Sequence, residues 1–211
     1  MNLNDYKNAK IINSLSLDIP SSASPFMLPD KIALVAAGDW LVSNHNYLNT
    51  MVDARDRNSE MFFSQFIGSV ASLKKYLLQG PLSQPNHILF LLIDGTGHFF
   101  GHVGLKYDFT RGFEVDNVMK FSLDEKGLMS AAIKTLLVWI KDELDVDSVY
   151  LKVISTNVRA IRMYTQLGFV LRKSYYLMES NLVNSLTILE PCALEDSNTS
   201  EKMYVLHLDF N

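Results

Sequence analysis

The hydrophobic period changes between residues 88 and 144, and the order of the changes restricts the chain to folds in which helices pack on an antiparallel sheet. Residues 88–94 are a short apolar run, 95–97 read Gly-Thr-Gly, and 99–109 are again patterned for extended chain, which predicts a β-hairpin. After Thr110-Arg111-Gly112, residues 113–121 alternate. Phe113, Val115, Asn117, Met119 and Phe121 are expected on one face, and Glu114, Asp116, Val118 and Lys120 on the other. Residues 127–144 then take up helical spacing, with Leu128, Ala131, Ala132, Leu136, Trp139, Ile140 and Leu144 as an apolar stripe.

The flanking segments extend this pattern. Residues 31–37 read as a buried first strand, and residues 39–79 as two helices broken near 57–58 and 68–69. Residues 149–154 read as a strand, 157–167 as a helix capped by Gly168, and 169–178 and 203–210 as two more strands. The expected organisation is one domain over 31–211. Residues 1–30 form an N-terminal arm rich in Asn and Ser and interrupted by Pro20, Pro25 and Pro29, and an insert occupies about 181–202.

Of the 211 residues 48% are apolar, enough for a sizeable core. The 19 Lys and Arg against 23 Asp and Glu leave a net charge of -4, which gives no general attraction for phosphate backbones and argues against a nucleic-acid partner. The longest strongly apolar run is only 88–93, and the N-terminus lacks a signal-peptide core, so neither a membrane span nor secretion is expected. Cys192 is the single cysteine; it closes no internal disulfide, and a cytoplasmic location fits. The five histidines form no metal pair at helical i, i+4 spacing, so no metal is expected. His45, His87, His98 and His207 carry no functional argument.

A strand, a glycine loop and a helix N-terminus in succession form an anion site, because the first helical turn points unpaired N–H groups outward. Residues 121–130, Phe-Ser-Leu-Asp-Glu-Lys-Gly-Leu-Met-Ser, have this order, although Gly127 alone also fits an ordinary helix start. One helix and one strand later comes Asn157-Val-Arg-Ala160-Ile-Arg-Met-Tyr164-Thr-Gln-Leu-Gly168-Phe169. This segment resembles the distal motif of the GNAT acyltransferase superfamily, and the glycine loop is similar to its pyrophosphate motif. Asp124 stands where that motif has Gln or Arg, and Met129 where it has a small residue. The resemblance covers roughly 32–178 and is detailed over 114–169. It implies an α+β (mixed α/β) fold with a central, mixed, mostly antiparallel twisted sheet of six or seven strands flanked by about four helices.

The resemblance implies acetyl-CoA as acyl donor. Its pantetheine would run along Asn117, Val118 and Met119, and its diphosphate would sit on Lys126, Gly127, Leu128, Met129 and Ser130. Asn157 would contact the pantetheine or a splayed strand, Ala160 would belong to the cofactor site, and Tyr164 would protonate the departing thiolate. The residues alone also allow Tyr164 to be a core aromatic.

Amide formation needs a neutral amine and therefore a proton acceptor, for which Glu114 and Asp116 are the candidates, or a water path to bulk; a solvated pair fits the same pattern. Lys152 occupies a position where some protein-directed members of the superfamily carry a glutamate base. His102, between Gly101 and Gly104, has room to face the acceptor, or to be a core histidine.

Residues 101–105, 114–118 and 127–129 resemble members that acylate nucleotide-linked amino sugars. By that likeness Asp116, Arg55 and Arg57 lie on the acceptor side, the arginines facing a diphosphate or forming a solvated helix end. The expected function is N-acetylation of such a small-molecule amine. Acetylation of protein N-termini or ribosomal proteins, and a non-catalytic acyl-CoA-binding domain, are the alternatives. Self-association as a homodimer would use the edge of the final strand or the 181–202 insert.

Overall fold

The computed structural model describes residues 28, 31–65, 68–121, 126–144, 146–182 and 186–210. The N-terminal arm, Leu28 apart, and Asp124 of the glycine loop lie outside them. Among the described residues the strands are β1 (Ala33–Ala36), β2 (Ser64–Gln65), β3 (His87–Ile93), β4 (Phe99–Asp108), β5 (Gly112–Lys120), β6 (Ser148–Ile154), β7 (Val170–Leu182), β8 (Leu186–Cys192) and β9 (Lys202–Asp209). The helices are α1 (His45–Arg57), α2 (Val70–Gln79), α3 (Leu128–Leu144) and α4 (Val158–Gln166).

All nine strands join one sheet in the order β1-β3-β4-β5-β6-β9-β7-β8-β2. Only the β5–β6 pairing is parallel among the described strands. The count exceeds the expected six or seven because half of the 181–202 insert is strand. β7 runs on to Leu182 and β8 folds back against it, from Leu182↔Leu186 to Tyr176↔Cys192. β2 then adds two residues outside β8. β9 lies between β6 and β7, so the final strand offers no free edge for self-association.

Strict alternation sorts the apolar side chains onto two faces. Leu34, Ala36, Ile88, Phe90 and Leu92 join Leu128, Met129, Leu136 and Ile140 of α3 in one core, which also takes Tyr164 and Phe169. Ala33, Val35, Leu89, Leu91 and Ile93 pack on the other face against Tyr47, Leu48 and Met51 of α1 and Leu73 and Leu77 of α2. Burying each large side chain contributes about 1.5–3 kcal/mol, which is why a short run such as 88–93 can organise both layers. A third cluster, Tyr150, Ile154, Leu177, Leu189, Met203 and Val205, closes the β7–β8 end.

The expected single face for Phe113 through Phe121 breaks in the middle. Phe113 and Val115 enter the α3 core, whereas Met119 and Phe121 enter the α1–α2 core. The cause is a β-bulge. Pairing steps from Gly104↔Asp116 to His102↔Met119, so β5 spends one residue more than β4, and Asn117 takes φ 45. A bulge of this kind reverses the side-chain alternation beyond it and bends its strand.

Candidate active site

β5 and β6 pair only at Phe113↔Val149 and Glu114↔Tyr150. Beyond these, β5 continues to Lys120 paired with β4, and β6 continues to Ile154 paired with β9. The strands therefore part, and the edge of β5 past Glu114 has no strand partner among the described residues, leaving backbone N–H and C=O groups aimed into the gap. A cleft of about 630 Å³ fills it. On one side stand the N-termini of α3 and α4, and on the other the segment 55–64 and Tyr76.

On the helical side, Gly127 takes φ 80, and a Cβ built on it would meet no atom within 4 Å. Its carbonyl accepts from Ala131 N–H at 2.9 Å, so α3 begins directly after it and directs its first free N–H groups at the cleft. The open space over a positive-φ glycine fits a phosphate group. Lys126, Gly127, Met129 and Ser130 line the cleft. Leu128 does not; it is 7% exposed and packs in the α3 core, so its contribution is limited to its backbone. Asn157 is the N-cap of α4, its Oδ1 accepting from Ala160 N–H at 3.2 Å, and both residues line the cleft.

Tyr164 also lines the cleft, yet it is 6% exposed and its ring meets Phe169 edge-on at 6.0 Å. Its hydroxyl has no hydrogen bond among the described residues. Burial raises its pKa well above the ordinary phenol value, so it stays a proton donor across the neutral range.

The two β5 carboxylates share the face toward α1 and α2 but have different company. Tyr150 O–H and Lys152 Nζ both donate to Glu114 Oε2, at 3.1 and 2.9 Å. The same carboxylate raises the pKa of Tyr150, after burial, which is the larger cause. Asp116 Oδ1 lies 3.1 Å from His87 Nε2, and its Oδ2 accepts from Asn117 Nδ2 at 3.1 Å. Asn117 Oδ1 in turn accepts from Tyr76 O–H at 2.6 Å. Burial, with the Asp116 charge second, pushes Tyr76 up to about 12, so this phenol remains a donor.

Arg55 and Arg57 sit at the end of α1. Arg55 donates to Ser64 O at 3.0 Å with its guanidinium 4.5 Å from the Phe62 ring centroid, and Arg57 donates to Phe121 O at 3.1 Å. Both line the cleft, as do Asn117, Val118 and Met119. His102 does not. It is 1% exposed beneath α1, with Nδ1 3.1 Å from Tyr47 O–H, and burial followed by the Arg55 charge lowers its pKa to about 3. The glycines expected to open space around it serve other contacts: a Cβ on Gly104 would collide with Asp116 Oδ1, and one on Gly101 with Met119 O.

The sequence did not point to Tyr76, Tyr150 or His87. Tyr76 lines the cleft, whereas Tyr150 and His87 are buried and touch the cleft residues Glu114 and Asp116; tertiary packing makes these contacts, and no local motif marks them. Among the described residues no group of three His, Cys, Asp or Glu side chains is placed to hold a metal ion, and no helix is long and apolar enough to cross a membrane.

The profile of the acetyltransferase (GNAT) family matches residues 54–169, the span that holds β5, the glycine loop, α4 and Tyr164. A comparison with curated proteins gives no match. Among solved structures, the spermidine N-acetyltransferase of Vibrio cholerae in complex with CoA and spermine is similar over 85% of this chain and 95% of its own, with TM-score 0.61 and 16% identity. A dodecameric structure of the Vibrio cholerae enzyme in an intermediate state gives TM-score 0.55 and 17% identity over 85% and 94%. At such identity the likeness concerns the fold. With more than half of its length matched by the family profile, the chain belongs to the acetyltransferase (GNAT) family of acetyl-CoA-dependent N-acetyltransferases.

Proposed function

We propose that the chain acetylates the primary amine of a small molecule that also carries an anionic group, nucleotide-linked amino sugars being the class that fits best. The observation that carries this reading is the charge on the acceptor side of the cleft. Arg55 and Arg57 stand there with Asp116, whose carboxylate is held by His87 and Asn117, while Lys152 and Glu114 are paired with each other. Such a wall disfavours a polycation and suits a phosphate or diphosphate, which guanidinium groups bind with directional hydrogen bonds.

On the donor side, the N–H groups following Gly127 would take the diphosphate, with Lys126 beside them. The unpaired edge of β5 at Asn117, Val118 and Met119 would hold the pantetheine, next to Asn157 and Ala160. Tyr164 would give its proton to the departing sulfur, and a β5 carboxylate would relieve the amine of its proton.

Thiol release from acetyl-CoA tests the acceptor class. A UDP-linked amino sugar is expected to be turned over with kcat/KM at least about tenfold above spermidine and above short peptides with free N-termini. Preference for spermidine would contradict the anionic-acceptor reading, and preference for peptides would favour the protein-directed alternative.

A further inference from the structure

Asp116 is the end point of a hydrogen-bond chain in which every certain donor points toward it. Tyr76 O–H donates to Asn117, which fixes that amide with its oxygen toward Tyr76 and its nitrogen toward Asp116. On its other side Asp116 reaches across β4 to His87 on β3, and it does so over Gly104, the position at which any side chain would occupy the same space. The His87 side chain is 6% exposed and that of Asp116 is 19% exposed, so one member of the pair is sealed in the protein and the other opens on the cleft. Glu114 differs: one of its oxygens is taken by a cation and a phenol together.

We infer that Asp116 takes the proton from the acceptor ammonium and that His87 is a positioning residue whose Nε2–H holds the carboxylate in place. The inference rests on amine acetylation and is independent of the acceptor's anionic group. Chemically, R–NH3+ gives one proton to the Asp116 carboxylate, which His87 Nε2–H keeps oriented. The freed lone pair attacks the thioester carbonyl carbon. As the C–S bond breaks, Tyr164 protonates the sulfur and is reprotonated by the second proton leaving nitrogen. The products are the amide, the CoA thiol and one proton, which returns through Asp116 to water. The charged or titratable groups around the pair are Tyr76 on α2, Arg55 on α1, Lys106 on the Gly104 face of β4, and Glu114 on β5.

The test is the pH dependence of kcat/KM with acetyl-CoA and a UDP-linked amino sugar for wild type, Asp116→Asn, His87→Gln, His87→Leu and Glu114→Gln. Thermal midpoint and acetyl-CoA affinity serve as folding controls. Asp116→Asn is expected to abolish the acidic limb and to lower turnover by roughly 100-fold. His87→Gln retains a donor to Asp116 and is expected to keep turnover within about threefold of wild type, whereas His87→Leu, which offers none, is expected to lose about tenfold or more. Unchanged turnover in His87→Leu, or a limb lost in Glu114→Gln and kept in Asp116→Asn, overturns the inference.

The His87 imidazole is also followed by 15N NMR without substrate, where Asp116→Asn is expected to change the Nε2 resonance by replacing the carboxylate that accepts from it. An unmoved resonance overturns the pairing. A wild type that binds acetyl-CoA and acetylates none of the offered amines refutes the acceptor reading, and the Nε2 resonance then decides the pair.

Discussion

Gly104 on β4 lies under the side chain of Asp116 on β5: a Cβ at Gly104 would collide with Oδ1 and come within 3.1 Å of Cγ. Gly104→Ala is therefore expected to displace the carboxylate from His87. Turnover should fall about tenfold or more while acetyl-CoA affinity stays within about twofold, at a stability cost of about 1–3 kcal/mol from overpacking. Steady-state kinetics beside calorimetric titration measures both, and unchanged turnover would show that the contact carries no chemistry.

Tyr164→Phe removes a hydroxyl that has no hydrogen bond among the described residues and leaves the buried ring in place. The expected result is a fall in kcat of about 100-fold with little change in acetyl-CoA affinity, because the acid acts only as sulfur departs. Since burial raises this phenol above its ordinary pKa of 10.0, any alkaline limb belonging to it should lie above pH 10. An alkaline limb near pH 8 that disappears in Tyr164→Phe would contradict the assignment.

His102 links the acid stability of the fold to a single buried ring. Its pKa is lowered from 6.5 to about 3, so between those values the unfolded chain binds a proton that the folded chain refuses. Stability contributed by the neutral ring is fully present above pH 6.5 and is lost as pH falls toward 3, with a limiting slope of about 1.4 kcal/mol per pH unit. Denaturant titrations from pH 7 to 4 should show this decline, and His102→Gln, which retains a partner for Tyr47, should flatten it. Equal slopes in the two proteins would place the acid sensitivity elsewhere.

Glu114→Gln removes the partner of Lys152 and leaves Tyr150 an amide to bond. The freed ammonium adds to the positive wall of the cleft, so KM for the acceptor should change by about threefold or more while the acidic limb of the pH profile persists. Loss of that limb would return the base to Glu114.

The framework was legible because apolar periodicity reports burial directly. The hairpin, the α3 stripe, the glycine loop before α3 and the Gly168 cap after α4 are all local signals. Three features were not. The bulge at Asn117 places an asparagine at positive φ inside an otherwise regular alternation, and nothing in residues 113–121 announces the extra residue. β8 contains Pro191, is partly exposed and is held by its pairing with β7, so its own residues signal a strand weakly. His87 opens an apolar run and looked incidental; its meaning comes from Asp116, 29 residues later, crossing over Gly104.

The most direct measurement is a calorimetric titration of acetyl-CoA into wild type and into Gly127→Val. Saturable binding in the roughly micromolar range, lost when valine fills the open space over the α3 N-terminus, is the expected result. No binding to wild type, or equal binding to Gly127→Val, would contradict the placement of the donor between β5, α3 and α4.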